Sequence, residues 1–421
     1  MRNGPTQPAE APAPARWRRV AAVLLALKLA YLAGVTVAVV FWSEFEDGRA
    51  VQIQRSWFPP GWPTEPRSHI TKHWATWDAE HYLYLSAEGY RPEARSIAFY
   101  PLWPLILGAA TSLVGGHREW VGLVLANLFS LGGWLGFHRA VARRFGESSA
   151  DLTLALLIAF PGSLFFQFIY SEPLFFLLLA GLWWAIETRR YPAAMICATL
   201  LPLTRGVGVF LVLPLGWHAW TAARPEWAAR FGRRGRRSAA ATESAGPESG
   251  ASSRPPAWGP WALAGMPALG WGIYLGLMAL WTGDPFAGIA AQRYWGVHSI
   301  SNLWNVPKFL AALVEVREWH SYQGSMLDRL GFVLAAYAVP ALWDRARDLL
   351  PWWIALALLP AMSGTFTSYI RFESCAFPVF VGWGLMLGQP RRRWLAWVVV
   401  AVLAAEHLDL LWRFVNYRWA G

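Results

Sequence analysis

Long apolar runs, broken by short stretches rich in Trp, Arg, Gly and Pro, pattern this chain from residue 20 onward. Such runs predict membrane-spanning helices, since about 20 apolar residues cross about 30 Å of hydrocarbon. Residues 20–42 form one run, interrupted only by Lys28, and 258–281 and 349–366 form others. The core at 394–405 is shorter and spans only if its helix continues to about residue 412. The whole pattern predicts an all-α, polytopic helical bundle of about eleven spans. Segment 100–114 carries Pro101 and Pro104 and is short, so it reads as a re-entrant or interfacial helix. Segments 193–203 and 206–220 are interrupted around Thr204 and Arg205. Broken helices of that kind are tolerated where they line a protein cavity. No internal repeat is visible, which weighs against a transporter built from repeats.

Basic residues set the expected topology. Arg2, Arg16, Arg18 and Arg19 precede the first run, placing the N-terminus on the cytoplasmic side. Alternating spans then bring Arg143–Arg144, Arg189–Arg190, Arg345 with Arg347, and Arg391 to Arg393 to the same side. Counting 100–114 as a span would put Arg143 and Arg144 outside. The chain divides into a Pro/Ala-rich, disordered N-terminus (1–17), a first transmembrane half (18–221), a basic linker (222–257) and a second half (258–421). The first run is too long for a signal peptide and lacks a clear small-residue cleavage site, so it reads as an uncleaved span. The loops left outside are 43–99, a turn around Tyr170 to Pro173, 282–326, and a segment around Ser368 to Glu373.

Composition agrees with the pattern. Of 421 residues, 55% are hydrophobic and 15% charged, whereas soluble domains run nearer half and a quarter. Twenty-nine Trp suit the membrane interface. The net charge of +11 is explained by positive cytoplasmic loops, so no nucleic-acid partner is implied. The linker's arginines suit anionic lipid or a solvated loop equally. Cys197 and Cys375 lie in apolar surroundings and imply no disulfide framework.

Polar groups gathered at one membrane boundary are candidates for a site. The strongest stretch is Trp77-Asp78-Ala79-Glu80-His81-Tyr82, where a helix turns Asp78 and His81 to one face. A carboxylate beside an imidazole can deprotonate a hydroxyl or help hold a divalent metal, Mg or Mn. The plainer reading is that Asp78 caps the helix. Glu80 and Glu88 fall off this face and read as solvated. Glu172 stands at the outer end of two apolar runs, either functional or a helix-start charge beside Pro173. Arg205 and Arg371 suit phosphate through their planar donors, or else snorkel to lipid headgroups. Asp284, in Gly283-Asp284-Pro285, reads more readily as a turn residue. His73, His298, His320 and His407 lack ligand spacing. No GxxxxGKS loop, GxGxxG fingerprint or HExxH pair is present, leaving nucleotide-driven pumping and zincin proteolysis without local support.

Read together, the blocks resemble the GPI mannosyltransferase 2 (PIG-V-like) family, whose bacterial members are GT-C type membrane glycosyltransferases. Trp77 to Tyr82 with Gly89-Tyr90 resembles its first-loop signature, and Phe99-Tyr100-Pro101-Leu102-Trp103-Pro104-Leu105 its "FFPLYPL" block. Tyr170-Ser171-Glu172-Pro173, Leu203-Thr204-Arg205-Gly206, Gly283-Asp284-Pro285-Phe286 with Gln292 and Trp295, and Ser368-Tyr369-Ile370-Arg371-Phe372 follow in the family's order. Phe372, Pro173 and Trp103 depart from the residues usual there, and none removes a proposed catalytic group.

The resemblance implies a GT-C-like bundle that takes a polyprenyl-phosphate sugar as donor and a glycan, lipid or protein as acceptor. It implies an active site on the extracytoplasmic face of a bacterial inner membrane, with mannose the leading sugar. Asp78 would be the base in an inverting displacement, with His81 and Glu172 orienting the acceptor or a metal. Arg205 and Arg371 would face phosphate, with Asp284, Gln292 and Tyr82 completing the substrate contacts. A transporter or lipid flippase is the rival reading, and an inactive scaffold a third; a transporter keeps its polar groups nearer the midplane.

Overall fold

The computed structural model describes residues 14–63, 67–92, 94–224, 258–295 and 299–420. Among them every regular element is helical, with one isolated bridge between Glu318 and Ser325. The N-terminal segment 1–13, the linker 225–257 and His298 lie outside the described residues. Residues 14–17, expected to be disordered, instead begin the first helix, Pro14–Trp42.

Among the described residues, six helices are long and apolar enough to cross a membrane: Arg16–Trp42, Arg118–Phe145, Gly206–Ala223, Gly259–Thr282, Met326–Arg345 and Pro390–Val415. The expected run at 20–42 falls within the first of these, that at 258–281 matches Gly259–Thr282 to within one residue at each end, and the core at 394–405 does continue past residue 412. Leu102–Val114 is a helix of 13 residues, about 20 Å long and too short to cross, as its two prolines suggest. The run at 349–366 is not one straight helix. It divides into Leu350–Trp353, a π-helical turn Ile354–Leu358, and Leu359–Gly364, which carries Pro360 at its second position. A proline lacks the N–H that would continue the ladder, and a π-turn absorbs the mismatch.

The bundle has two chemically distinct ends. At one, Arg144 pairs with Asp348 at 2.8 Å and Glu187 at 3.5 Å, while Arg16 pairs with Glu147 at 3.3 Å and Asp151 at 2.9 Å. The basic clusters around residues 16, 144, 189 and 347 therefore meet at that end. The helix Glu172–Glu187 starts about 22 Å away, at the other end. Between the ends, Phe137, Phe160, Trp183, Phe377 and Phe380 interlock as a buried aromatic core. This core fixes the ends of the helices that carry the polar groups.

Candidate active site

Four charged side chains from four distant parts of the chain meet at the end opposite the basic clusters. Arg371 Nη1 donates to Asp78 Oδ2 at 2.5 Å, and Arg371 Nε donates to Glu172 Oε1. Arg205 Nη1 also pairs with Glu172 Oε1 and reaches Ser171 Oγ at 3.4 Å. The order is Asp78, Arg371, Glu172, Arg205. The Glu172 side chain is wholly buried, those of Arg205 and Arg371 nearly so, and that of Asp78 remains 22% exposed. Buried charges persist only when paired, and each guanidinium here has an acid. Aromatic faces add to the cage: Phe372 lies under Arg205, and Phe165 and Tyr170 lie under Arg371.

Strained backbone presents these groups. Trp77, immediately before the helix Asp78–Glu88, has φ 55° and ψ −125°, a conformation that costs a non-glycine residue about 1–3 kcal/mol. It is held there by an indole hydrogen bond to the Arg418 carbonyl at 3.0 Å and by stacking on Tyr417. Asp78 thus occupies the first turn, its N–H donating to the Tyr170 hydroxyl at 3.2 Å, and its carboxylate faces Arg371 rather than capping the helix. On the other side, Thr365, Phe366 and Ser368 all have positive φ before the short helix Tyr369–Glu373. Asp328 fixes that turn by accepting the Ile370 N–H at 2.8 Å. Glycine permits the closest approach: a Cβ on Gly162 would strike the Ile370 carbonyl oxygen. Arg205 sits in the break foreseen near Thr204, as one extended residue between helices Tyr191–Thr204 and Gly206–Leu211.

Asp78, Arg205 and Arg371 open on a cavity of about 590 Å³. Tyr82 lines it and shares a hydrogen bond with Ser171 at 2.9 Å, and Gln292 lines it while donating to the Ala98 carbonyl at 2.9 Å. Glu172 stands behind the arginines and does not reach the cavity wall.

Other expected residues fall elsewhere. His81 is fully buried in a box of Trp57, Phe58, Phe99 and Trp295, with Nδ1 bonded to Ser96 at 2.8 Å. Burial, reinforced by the charge of Arg95, lowers its pKa to about 3, so it is neutral and lies outside the cavity lining. The shared helix face of Asp78 and His81 brings them no contact, because the helix wedges between the charged quartet and this aromatic box. Asp284 is exposed and accepts the Phe286 N–H at 2.8 Å, a side-chain turn beside the left-handed Gly283. Glu80 is not solvated: it is buried and held by two nitrogens of Arg67 and by Gln54. Helix-face spacing carries no trace of this pair, because Arg67 lies outside the helix Asp78–Glu88. Neither arginine of the quartet snorkels, since both end in buried carboxylate pairs.

A divalent cation between Asp78 and Glu172 would face the like charge of Arg371, so the quartet does not suit one. Two groups of possible metal ligands occur away from it among the described residues, His138 with Glu147 and Asp151, and His320 with Glu406 and Asp409.

Residues 65–224 match the sequence model of the family described as Mannosyltransferase (PIG-V). This stretch contains Asp78, His81, Glu172 and Arg205; Arg371 joins them in space from beyond it. No curated protein matches the chain. Among solved structures, the Archaeoglobus fulgidus oligosaccharyltransferase complexed with Zn and sulfate is similar at TM-score 0.48 and 13% identity, over 94% of this chain and 53% of that one. Its apo form is similar at TM-score 0.44 and 12% identity, over 94% and 56%. The chain thus spans about half the length of those structures. The family match likens residues 65–224, which carry three of the four charged residues of the quartet, to the PIG-V mannosyltransferases.

Proposed function

We propose that the chain moves a hexose, mannose first, from a polyprenyl-phosphate donor to an acceptor hydroxyl with inversion at the anomeric carbon. The observation that carries this is the Asp78 carboxylate, the one acid among the described residues on the wall of an arginine-lined cavity large enough for a sugar and its acceptor. Asp78 takes the proton of the acceptor hydroxyl as its oxygen attacks the anomeric carbon. The bond from that carbon to the phosphate oxygen breaks, and polyprenyl phosphate departs. Arg371 holds the Asp78 carboxylate aimed at the cavity, and Glu172 fixes Arg371 from behind. Tyr82 and Gln292 offer polar contacts to sugar hydroxyls.

The extracytoplasmic face of the cell membrane is supported by charge. The basic clusters gather at the end of the bundle opposite Asp78, and the positive-inside rule assigns that end to the cytoplasm. A lipid-phosphate donor suits such a site, since it is delivered from within the bilayer.

The test uses the purified full chain in nanodiscs with a panel of polyprenyl-phosphate hexoses and candidate acceptors, following release of polyprenyl phosphate. Release from one sugar by the native chain, lost in Asp78→Asn with folding retained, is the expected result. A well-folded Asp78→Asn protein that still releases polyprenyl phosphate at the native rate would remove Asp78 as base. Absence of release from every donor would remove the donor class.

A further inference from the structure

The two arginines nominated by sequence for phosphate are already committed. Arg371 serves Asp78 and Glu172, and Arg205 serves Glu172. Two positive and two negative charges leave the quartet neutral. The proposed chemistry asks for more: the donor phosphodiester carries one negative charge, and the departing monoester approaches two.

Two further guanidinium groups line the same cavity, those of Arg49 and Arg95. Among the described residues neither has a carboxylate within ion-pair distance. Arg95 is half-buried and lies over the Tyr294 ring, 5.4 Å from its centroid, and Tyr294 is itself a wall of the cavity. Arg49 is exposed and sits in the first turn of the helix Asp47–Trp57, where the helix dipole also presents positive charge. A cation at a helix N-terminus is unfavourable by itself and is relieved by an anion bound beside it.

We infer that Arg49 and Arg95 form an anion subsite for the phosphate of the lipid-linked donor, while Arg371 is the positioning residue of Asp78. This inference rests on the proposed function. Planar guanidinium forks give a phosphate paired donors, as a neutral quartet does not. The division also explains why the outer pair meets no carboxylate among the described residues: one there would compete with the substrate.

The experiment measures binding of a short polyprenyl phosphate, without sugar, to the full chain in nanodiscs, with the matching polyprenyl alcohol as control. The native chain binds the phosphate more tightly than the alcohol. The double variant Arg49→Gln with Arg95→Gln loses roughly a hundredfold in phosphate affinity with thermal unfolding unchanged, and its Lys counterpart recovers part of the loss. Phosphate binding that survives in the double variant but is lost in Arg205→Gln overturns the inference in favour of the inner arginines. A native chain that does not distinguish phosphate from alcohol overturns the donor class of the proposed function instead. In turnover, donor KM rises in the double variant while acceptor KM holds. The reverse pattern would hand the subsite to a phosphorylated acceptor and overturn the assignment to the donor.

Discussion

Arg371 Nη1 lies 2.5 Å from Asp78 Oδ2, although 293 positions separate the two residues in sequence. The contact joins the first polar loop to the short helix Tyr369–Glu373, and Nε of the same guanidinium reaches Glu172. One planar group therefore spans two acids. A lysine offers one charged point and cannot hold both in fixed directions. Arg371→Lys should lower kcat about a hundredfold with a smaller change in donor KM, because Asp78 loses its aim rather than its charge partner. Steady-state kinetics on the nanodisc enzyme checks this. A parallel rise in KM with kcat intact would place Arg371 in substrate binding instead.

Glu172 answers two buried guanidinium groups with one carboxylate. Glu172→Gln leaves Arg205 without a charge partner and Arg371 with Asp78 alone, at a largely buried site, which costs about 3–5 kcal/mol. The variant should unfold at lower temperature and denaturant, before any question of activity. Removing a cation as well, in Glu172→Gln with Arg205→Met, should recover part of that loss. A double-mutant cycle on thermal unfolding measures the recovery, and strict additivity would show that the two groups do not interact.

How much of this was legible in the sequence follows from the reach of each signal. The runs at 20–42 and 258–281, the short helix after Pro101 and the break at Thr204–Arg205 are local patterns, and each appears where its hydropathy or its prolines put it. The run at 349–366 looked equally apolar, yet its proline and π-turn divide it, and hydropathy carries no record of that. Asp78, Glu172, Arg205 and Arg371 stood out one by one as charges at a boundary, but their pairing is a tertiary fact that no spacing encodes. Helical spacing joined His81 to Asp78 because residues three apart share a face. It could not register that an aromatic box from Trp57, Phe99 and Trp295 takes the imidazole away. Arg49 and Arg95 gave no signal, since an isolated arginine in a polar loop looks like any surface charge.

The buried His81 makes a pH prediction with a definite sign. Burial lowers its pKa from 6.5 to about 3, so between those values the unfolded chain takes up a proton that the folded chain refuses. Its contribution to stability is complete above about pH 6.5 and declines as pH falls toward 3. His81→Phe should flatten that part of the stability profile, less a modest loss for the unpartnered Ser96 hydroxyl. Transfer activity should persist. Unfolding midpoints of the native chain and the variant across this range check the sign; a variant with the native slope would clear His81 of responsibility.

Gly162 links packing to chemistry. It abuts the Ile370 carbonyl so closely that a Cβ must push the backbone of Tyr369–Glu373 away. Backbone at that spot cannot yield as a flexible side chain would, because Asp328 ties the Ile370 N–H and the left-handed residues before it fix the turn. Gly162→Ala should therefore displace Arg371 by a fraction of an ångström and weaken its hold on Asp78. The expected outcome is a fall in kcat of about tenfold to a hundredfold, with a destabilisation of about 1–3 kcal/mol from overpacking. Gly216, inside the helix Val212–Ala223, whose added Cβ would meet nothing within 4 Å, is the control, since Gly216→Ala should leave kcat unchanged and stabilise by up to about 1 kcal/mol. Kinetics and thermal unfolding of both variants separate the cases. Equal behaviour of the two would mean that the Gly162 contact does not position Arg371.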